Sequence, residues 1–380
     1  MSSATARAME RRAAPESIAE ISHAAEPLLR LPYECWHFGD SVGFEALLGA
    51  SAVTGDARFA GFAHGFARGW AARTDGYRPL DCTAPGLAMV HIAEQTRDSR
   101  LMEAVARLAD HLQARRTIRG VYATFESTPL RQAAGPHPLP PDEAALLRDP
   151  GGGVFVDCLH FDPPFFAALG RATGEIIHTT RAVEQALGYI ELLHDDESGL
   201  FHHYWLERME RPYILGWSRG QGWALLGLLD VLEETKDAAL DLGHRTTIEA
   251  SARRLAEAMR SLQRPDGHWY TVAQDSASGD ETSTAAFMAT AFRRGVRMGV
   301  LDGGFAEPAA RALAAVRGDT DVDGVLRGVS AAVWACTLPA HYANVPRDFL
   351  VPWGQGPAVL ALAEAMRPPD PATSPPPDPP

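Results

Sequence analysis

The chain has 380 residues, 46% hydrophobic and 22% charged, an ordinary globular balance and enough length for one large domain or two modest ones. A net charge of −13 excludes the broad basic surface that nucleic acid selects for, and no apolar run approaches the roughly 18 residues of a membrane helix. Four cysteines (Cys35, Cys82, Cys158 and Cys336) lie far apart with no Cys-x-x-Cys pair, which argues against a disulfide framework and a thiolate metal site.

Residues 1–13 are polar and Arg-bearing, without the apolar core of an export signal, so they read as a disordered N-terminus on a cytoplasmic protein. From residue 14 to 366 the periodic segments are almost all helical, as in Leu101, Val105, Leu108, Ala109 and Leu112. Segments rich in Ala, Gly and Leu at 42–53, 82–95, 158–172, 220–234, 281–297 and 354–366 are predicted inner helices, suited to crowding around an axis. Segments 57–73, 99–115, 176–193, 241–262 and 304–317 are predicted outer helices, and 14–30 supplies a sixth. The stretch 121–156, with Pro129, Pro136, Pro138, Pro140, Pro141 and Gly151–Gly153, reads as a functional loop over one end. Residues 367–380 form a Pro-rich tail with no means of building a core.

A loop-plus-helix unit recurs along this order. Thr54-Gly55-Asp56, Thr96-Arg97-Asp98, Thr173-Gly174-Glu175 and Thr235-Lys236-Asp237 each end one helix and open another, and glycine turns such as Asp266-Gly267 end the second. Helical hairpins of this kind cannot bury their apolar faces alone and must stack or close on their neighbours. Six plus six predicts an all-α fold, a single (α/α)6 barrel over 14–366, with an open solenoid as the competitor. In a closed ring the chemistry belongs to the loops at one end of the inner helices.

Three clusters concentrate polar and aromatic residues there. Asp157, within Phe155-Val156-Asp157-Cys158-Leu159-His160, precedes a long apolar helix, and Asp81 holds the equivalent place one repeat earlier. Each is either a helix cap or a catalytic carboxylate; two at one barrel end would split their pKa values and keep one protonated as a general acid. In Trp217-Ser218-Arg219-Gly220-Gln221-Gly222-Trp223 the indoles suit stacking on a sugar and the guanidinium suits a carboxylate, against the alternative of core tryptophans and a structural arginine. His202 and His203 point to opposite sides of an extended segment, so at most one faces a site. Glu281 and Thr282 read as capping or supporting residues. No metal-binding, phosphate-loop, dinucleotide or serine-hydrolase motif is present, so neither metal nor cofactor is expected.

These motifs, in this order from about residue 33 to 366, resemble the unsaturated uronyl hydrolases of glycoside hydrolase families 105 and 88. The resemblance rests on Asp81, Val156-Asp157-Cys158, Thr173-Gly174-Glu175, Ser198-Gly199-Leu200-Phe201, Trp217–Trp223 and Asp280-Glu281-Thr282-Ser283. It implies an (α/α)6 barrel that removes a Δ4,5-unsaturated uronic acid from the non-reducing end of a short oligosaccharide. In that mechanism an Asp protonates the C4=C5 enol ether, water adds at C5, and the hemiketal collapses to release the aglycone, without metal or covalent intermediate. The resemblance makes Asp157 the acid and then the base, with Asp81 its partner. It places His203, Arg219, Trp223, Trp217, Phe155 and His160 around the sugar. Four positions depart from the family pattern. Gln221 replaces an Asn, Phe155 a Trp and Cys158 a Thr or Ser, and Gly120–Thr124 lacks the usual loop His.

Competing readings are a conventional glycosidase on a saturated glucuronide or galacturonide, with Asp162 or Asp81 as second carboxylate; an epimerase using His202, His203 and His160; and a non-catalytic carbohydrate-binding barrel. The expected partner is a small uronic-acid-terminated oligosaccharide, with no nucleic acid or membrane, on a monomer or weak homodimer.

Overall fold

The computed structural model describes residues 15–33, 38–74, 76–78, 83–125, 138–333 and 338–367. Asp81, Cys35, Cys82, Cys336, the segment 1–13 and all but the first residue of the Pro-rich tail lie outside the described residues.

Fourteen helices are described. Six form an inner ring: α2 (Asp40–Thr54), α4 (Gly86–Thr96), α7 (Asp162–Thr173), α9 (Ser218–Glu234), α11 (Ser283–Arg297) and α14 (Pro352–Glu364). Each packs on the next and α14 closes on α2. Six more, α3 (Ala57–Ala71), α5 (Ser99–Gln113), α8 (Ile176–Leu193), α10 (Leu242–Ser261), α12 (Ala306–Asp319) and α1 (Pro15–Ala25), back them from outside. This is an (α/α)6 barrel whose twelfth position is filled by the first described helix. Two short helices, α6 (Pro141–Arg148) and α13 (Pro339–Ala343), lie in the connections. None of the described helices is long and apolar enough to cross a membrane.

Burial follows the sequence. On α5 only Leu101, Ala104, Val105, Leu108, Ala109 and Leu112 are buried, one stripe at helical spacing. On α9 every residue from Ser218 to Leu232 is buried, because this helix is enclosed on all sides. The recurrent Thr plays the same part in each hairpin. Thr54, Thr96, Thr173 and Thr235 each donate their hydroxyl to the carbonyl four residues back, at 2.6–2.8 Å. Gly55 and Gly174 then take left-handed conformations that end the inner helix, and Asp56 and Asp98 cap the outer one. At the far end of the outer helices, Gly199, Gly267 and Gly324 press against the carbonyls of Arg254, Arg311 and His23 on the next outer helix. A Cβ there would lie 3.0, 2.4 and 2.5 Å from those oxygens. The turn glycines are therefore the contacts by which one hairpin seats on the next.

Two inner helices begin four residues later than the periodicity predicts, α4 at Gly86 and α7 at Asp162. Pro85 and the Pro163-Pro164 pair account for this, since proline lacks the donor a helix interior needs and constrains the residue before it. Strands are few and sit in the connections at one end. β1 (Thr117–Ile118) pairs with β2 (Val121–Tyr122). β3 (Gly153–Phe155), β4 (His202–Leu206) and β5 (Arg211–Leu215) form an antiparallel sheet with Phe155 opposite Tyr204. β6 (Tyr270–Val272) pairs with β7 (Asp275–Asp280). The sheet carries residues 153–155 and 202–215 to the starts of α7 and α9.

Candidate active site

Asp157 sits on a 3-10 turn, Val156–Leu159, between β3 and α7. The turn is closed by His160 N–H to Asp157 O and Phe161 N–H to Cys158 O, at 3.0 and 3.1 Å. The helix proper starts five residues after Asp157 and its N-cap, Phe161, makes no side-chain cap. Asp157 is therefore not a helix cap. Its Oδ2 is buried without a hydrogen-bond partner among the described residues. Burial pushes the carboxyl up to about 6, with the Arg219 charge pulling the other way.

His203 faces it. Alternation along β4 turns His202 away, toward the Leu193 carbonyl at 3.2 Å, and His203 inward. His203 Nε2 lies 3.8 Å from Asp157 Oδ2 and likewise has no hydrogen bond among the described residues. Nδ1 and the Tyr342 hydroxyl are 2.5 Å apart. Burial, reinforced by the Arg219 charge, holds the imidazole well below its usual range, so it is neutral at neutral pH. Phe155 meets the ring edge-on at 5.3 Å and stacks on Tyr204 at 5.2 Å, while Trp217 lies against it at 4.0 Å. Phe155 is half-buried and Trp217 is almost fully enclosed, its indole N–H unpartnered among the described residues.

Arg219 lies one layer behind Trp217, its guanidinium carbon 5.1 Å from the indole centroid. It is 0% exposed. Nη1 donates to Glu281 Oε1 at 3.1 Å and Ser330 Oγ at 2.7 Å, and Nη2 to the Ala331 carbonyl at 3.0 Å. The expected open carboxylate clamp is thus a buried structural hub: both Nη groups bond inside the protein, and Nε is buried without a partner among the described residues. Glu281 does both of the things expected of it. Its Oε2 accepts from the N–H and hydroxyl of Thr284 and from Ser283 at the start of α11, while Oε1 binds Arg219 and the Ser330 N–H. Gln221 accepts from Phe201 N–H at 2.7 Å and donates to the carbonyls of Phe201 and Trp217, tying the start of β4 to the start of α9.

Two expected sugar contacts sit elsewhere. Trp223 is fully buried among Phe287, Phe161 and His160, one helical turn below Arg219, and offers no stacking face. His160 lies in the barrel interior, with Nε2 3.1 Å from Glu45 and Nδ1 3.4 Å from Asp230. Burial lowers its pKa, but the two carboxylates outweigh this and raise it to about 9. Glu45, His160 and Asp230 place donor atoms within 4.8 Å of one another, a spacing a metal ion can span. Arg294 is already bound to Asp230, so a protonated His160 balances the four charges without a metal.

Asp162, a candidate second carboxylate, is buried and bonded to Arg115 at 2.7 Å. Where the family pattern has a loop His, Thr124 accepts from Phe155 N–H at 3.1 Å and donates to Cys158 Sγ at 3.3 Å. It braces the acid's turn from both sides. Tyr342 and Ser330 belong to the site and were not legible in the sequence. Both precede α14 in a stretch with no motif, Ser330 in a loop and Tyr342 on the five-residue α13, and Tyr342 is 139 residues from the histidine it meets.

The assembled groups are a buried carboxyl with a raised pKa, a neutral histidine facing it, a half-buried aromatic and a buried cation, at the N-terminal ends of α7, α9, α11 and α14. Residues 14–368 match the model of Glycosyl Hydrolase Family 88. The unsaturated rhamnogalacturonyl hydrolase YesR of Bacillus subtilis (strain 168) is 26% identical over 219 residues, 56% of this chain and 60% of that protein. The chain thus aligns with about 60% of that relative's length. An unsaturated 3S-rhamnoglycuronyl hydrolase of Formosa agariphila is 35% identical over 97 residues, 25% of each chain. Among solved structures, a Salmonella enterica protein described as a possible member of the GH105 family superposes with a TM-score of 0.79 at 20% identity, covering 94% of this chain and 95% of that one. The unsaturated glucuronyl hydrolase of Bacillus sp. GL1 superposes at 0.66 and 17% identity, over 91% and 95%. These superpositions establish the fold.

Proposed function

The chain belongs to glycosyl hydrolase family 88, and from that premise we propose that it is a glycoside hydrolase releasing a terminal Δ4,5-unsaturated uronic acid from a short oligosaccharide. Asp157 donates its proton to C4 of the C4=C5 enol ether, leaving positive charge shared between C5 and the ring oxygen. Water adds at C5 and returns a proton to Asp157, and the hemiketal opens with loss of the aglycone. Asp81, outside the described residues, is the partner carboxylate in this reading.

The observation that carries it is the Asp157–His203 pair. A carboxyl held up to about 6 beside a neutral imidazole keeps a proton to give near neutral pH and regains it in the hydration step. The N-termini of four inner helices and the Arg219 charge favour an anionic sugar in front of the pair. Phe155 is the aromatic surface for the ring. Arg219 acts through its field, since its hydrogen bonds are internal. The named activities of the two curated relatives, both on unsaturated sugar acids, point the same way.

The test is the ultraviolet absorbance of the conjugated uronate during incubation with a panel of lyase-generated disaccharides. Decay that disappears in Asp157→Asn supports the reading and names the polysaccharide class. No decay on any of them, with aglycone released from a saturated aryl glucuronide, overturns it.

A further inference from the structure

We infer that Tyr342 is a positioning residue that fixes the tautomer of His203, so that the ring presents an Nε2–H to the space in front of Asp157. The inference rests on the hydrolase reading above and adds a residue to it.

The Tyr342 hydroxyl is 2.5 Å from His203 Nδ1, and the two side chains are 0% and 1% exposed. A neutral imidazole carries one N–H. Phenol is the better donor of the two, so Tyr342 O–H donates to Nδ1 and the ring proton resides on Nε2. That nitrogen faces Asp157 Oδ2 at 3.8 Å, and neither atom has another hydrogen bond among the described residues.

The direction of that N–H decides what the gap does. A water in reach of both atoms accepts from Nε2–H and donates to the Asp157 carboxylate, leaving an oxygen lone pair for C5. With the proton on Nδ1, the Nε2 lone pair competes with Asp157 for the same water proton and the nucleophile loses its orientation.

Tyr342 is placed rigidly. It lies on α13, and Arg347 ties the end of that helix to the β6–β7 hairpin through the carbonyls of Ala343, Asp280 and Ser278 and the Thr271 hydroxyl. Asn344 closes the turn on the Ala340 carbonyl.

The experiment is Tyr342→Phe in the full chain, which keeps the ring and loses the hydroxyl. Magnetic resonance of isotope-labelled histidine nitrogens, with His203 assigned by His203→Gln, reads the tautomer directly. The expected result is Nε2–H alone in the wild type and a mixture in Tyr342→Phe. With it, kcat falls about 10- to 100-fold while KM stays within about twofold. A wild-type ring with Nδ1–H, or a Tyr342→Phe spectrum and kcat equal to wild type, overturns the inference. If no unsaturated uronide is turned over, the hydrolase reading fails, yet the nitrogen spectrum still decides the tautomer.

Discussion

Asp157 Oδ2 and His203 Nε2 face each other across 3.8 Å with nothing hydrogen-bonded to either among the described residues. The gap is too wide for a direct bond, and an oxygen bonded to both must sit beside the line joining them, subtending roughly a right angle. Phe155, half-buried, meets the His203 ring edge-on beside this pair. In the proposed mechanism one carboxyl serves both an atom on the sugar and an atom of water.

Because Asp157 Oδ2 supports no local structure, Asp157→Asn should remove activity and leave the fold. The expected loss in kcat is on the order of 1,000-fold, within the usual range for a general acid. Thermal unfolding at neutral pH should shift upward or stay level. A large drop in melting temperature would make Asp157 a structural residue.

The same carboxyl gives a pH signature. With a folded value of about 6 against an unfolded 3.8, the native state holds the proton more tightly. Stability then falls as pH rises from about 4 to about 6. The difference between wild type and Asp157→Asn in denaturant titrations isolates this part. For activity, the alkaline limb of kcat/KM should lie near pH 6, where the acid loses its proton.

His160 acts in the opposite range. Its folded value of about 9 lies above the unfolded 6.5, so its contribution is complete below about 6.5 and lost as pH rises through 9. Replacing it with Gln should flatten the stability curve between those limits, with the Glu45 and Asp230 carboxylates left less compensated. An unchanged curve in His160→Gln would show that the proton is not held there.

Arg219 and Glu281 are both buried, so breaking the pair costs more than removing it. Glu281→Gln or Arg219→Met alone should each destabilise by about 3–5 kcal/mol, and the double variant by less than their sum. Urea unfolding of the three variants checks this. Additive losses would mean the pair carries no coupling.

The two aromatics should separate cleanly. Phe155→Ala is expected to raise KM up to about tenfold with little change in stability. Trp223→Ala should cost about 3–5 kcal/mol and show in the melting temperature before it shows in KM. The reverse pattern would restore Trp223 as the sugar platform.

Much of the ring was legible because its signals are local. The Thr side chains that bond back four residues, the left-handed glycines and the Asp caps act within one turn, so the sequence displays them. Asp157 was legible as a polar residue ahead of an apolar helix, but its 3-10 turn was not. The fate of Trp223 was hidden because a place along α9 is also a depth: four residues past Arg219 is about 6 Å further into the barrel, past the point where Phe287 and Phe161 close the interior. Arg219 was misjudged for a related reason, since its partners Glu281, Ser330 and Ala331 come from other hairpins 62 to 112 residues away. Tyr342 leaves no periodic trace at all.

The helix that completes the outer ring is the earliest in sequence among those described. Gln355 on α14 donates to the Ala24 carbonyl, 331 residues back, and Gly324 seats on the carbonyl of His23. During synthesis the apolar side of α1, with Ile21, Ala24 and Ala25, waits for almost the whole chain before its final neighbour exists. Closure is then a late step between distant parts, with a slow search and a long exposure to wrong partners. A rearranged chain in which α1 follows directly after α14 would turn that encounter into an ordinary hairpin.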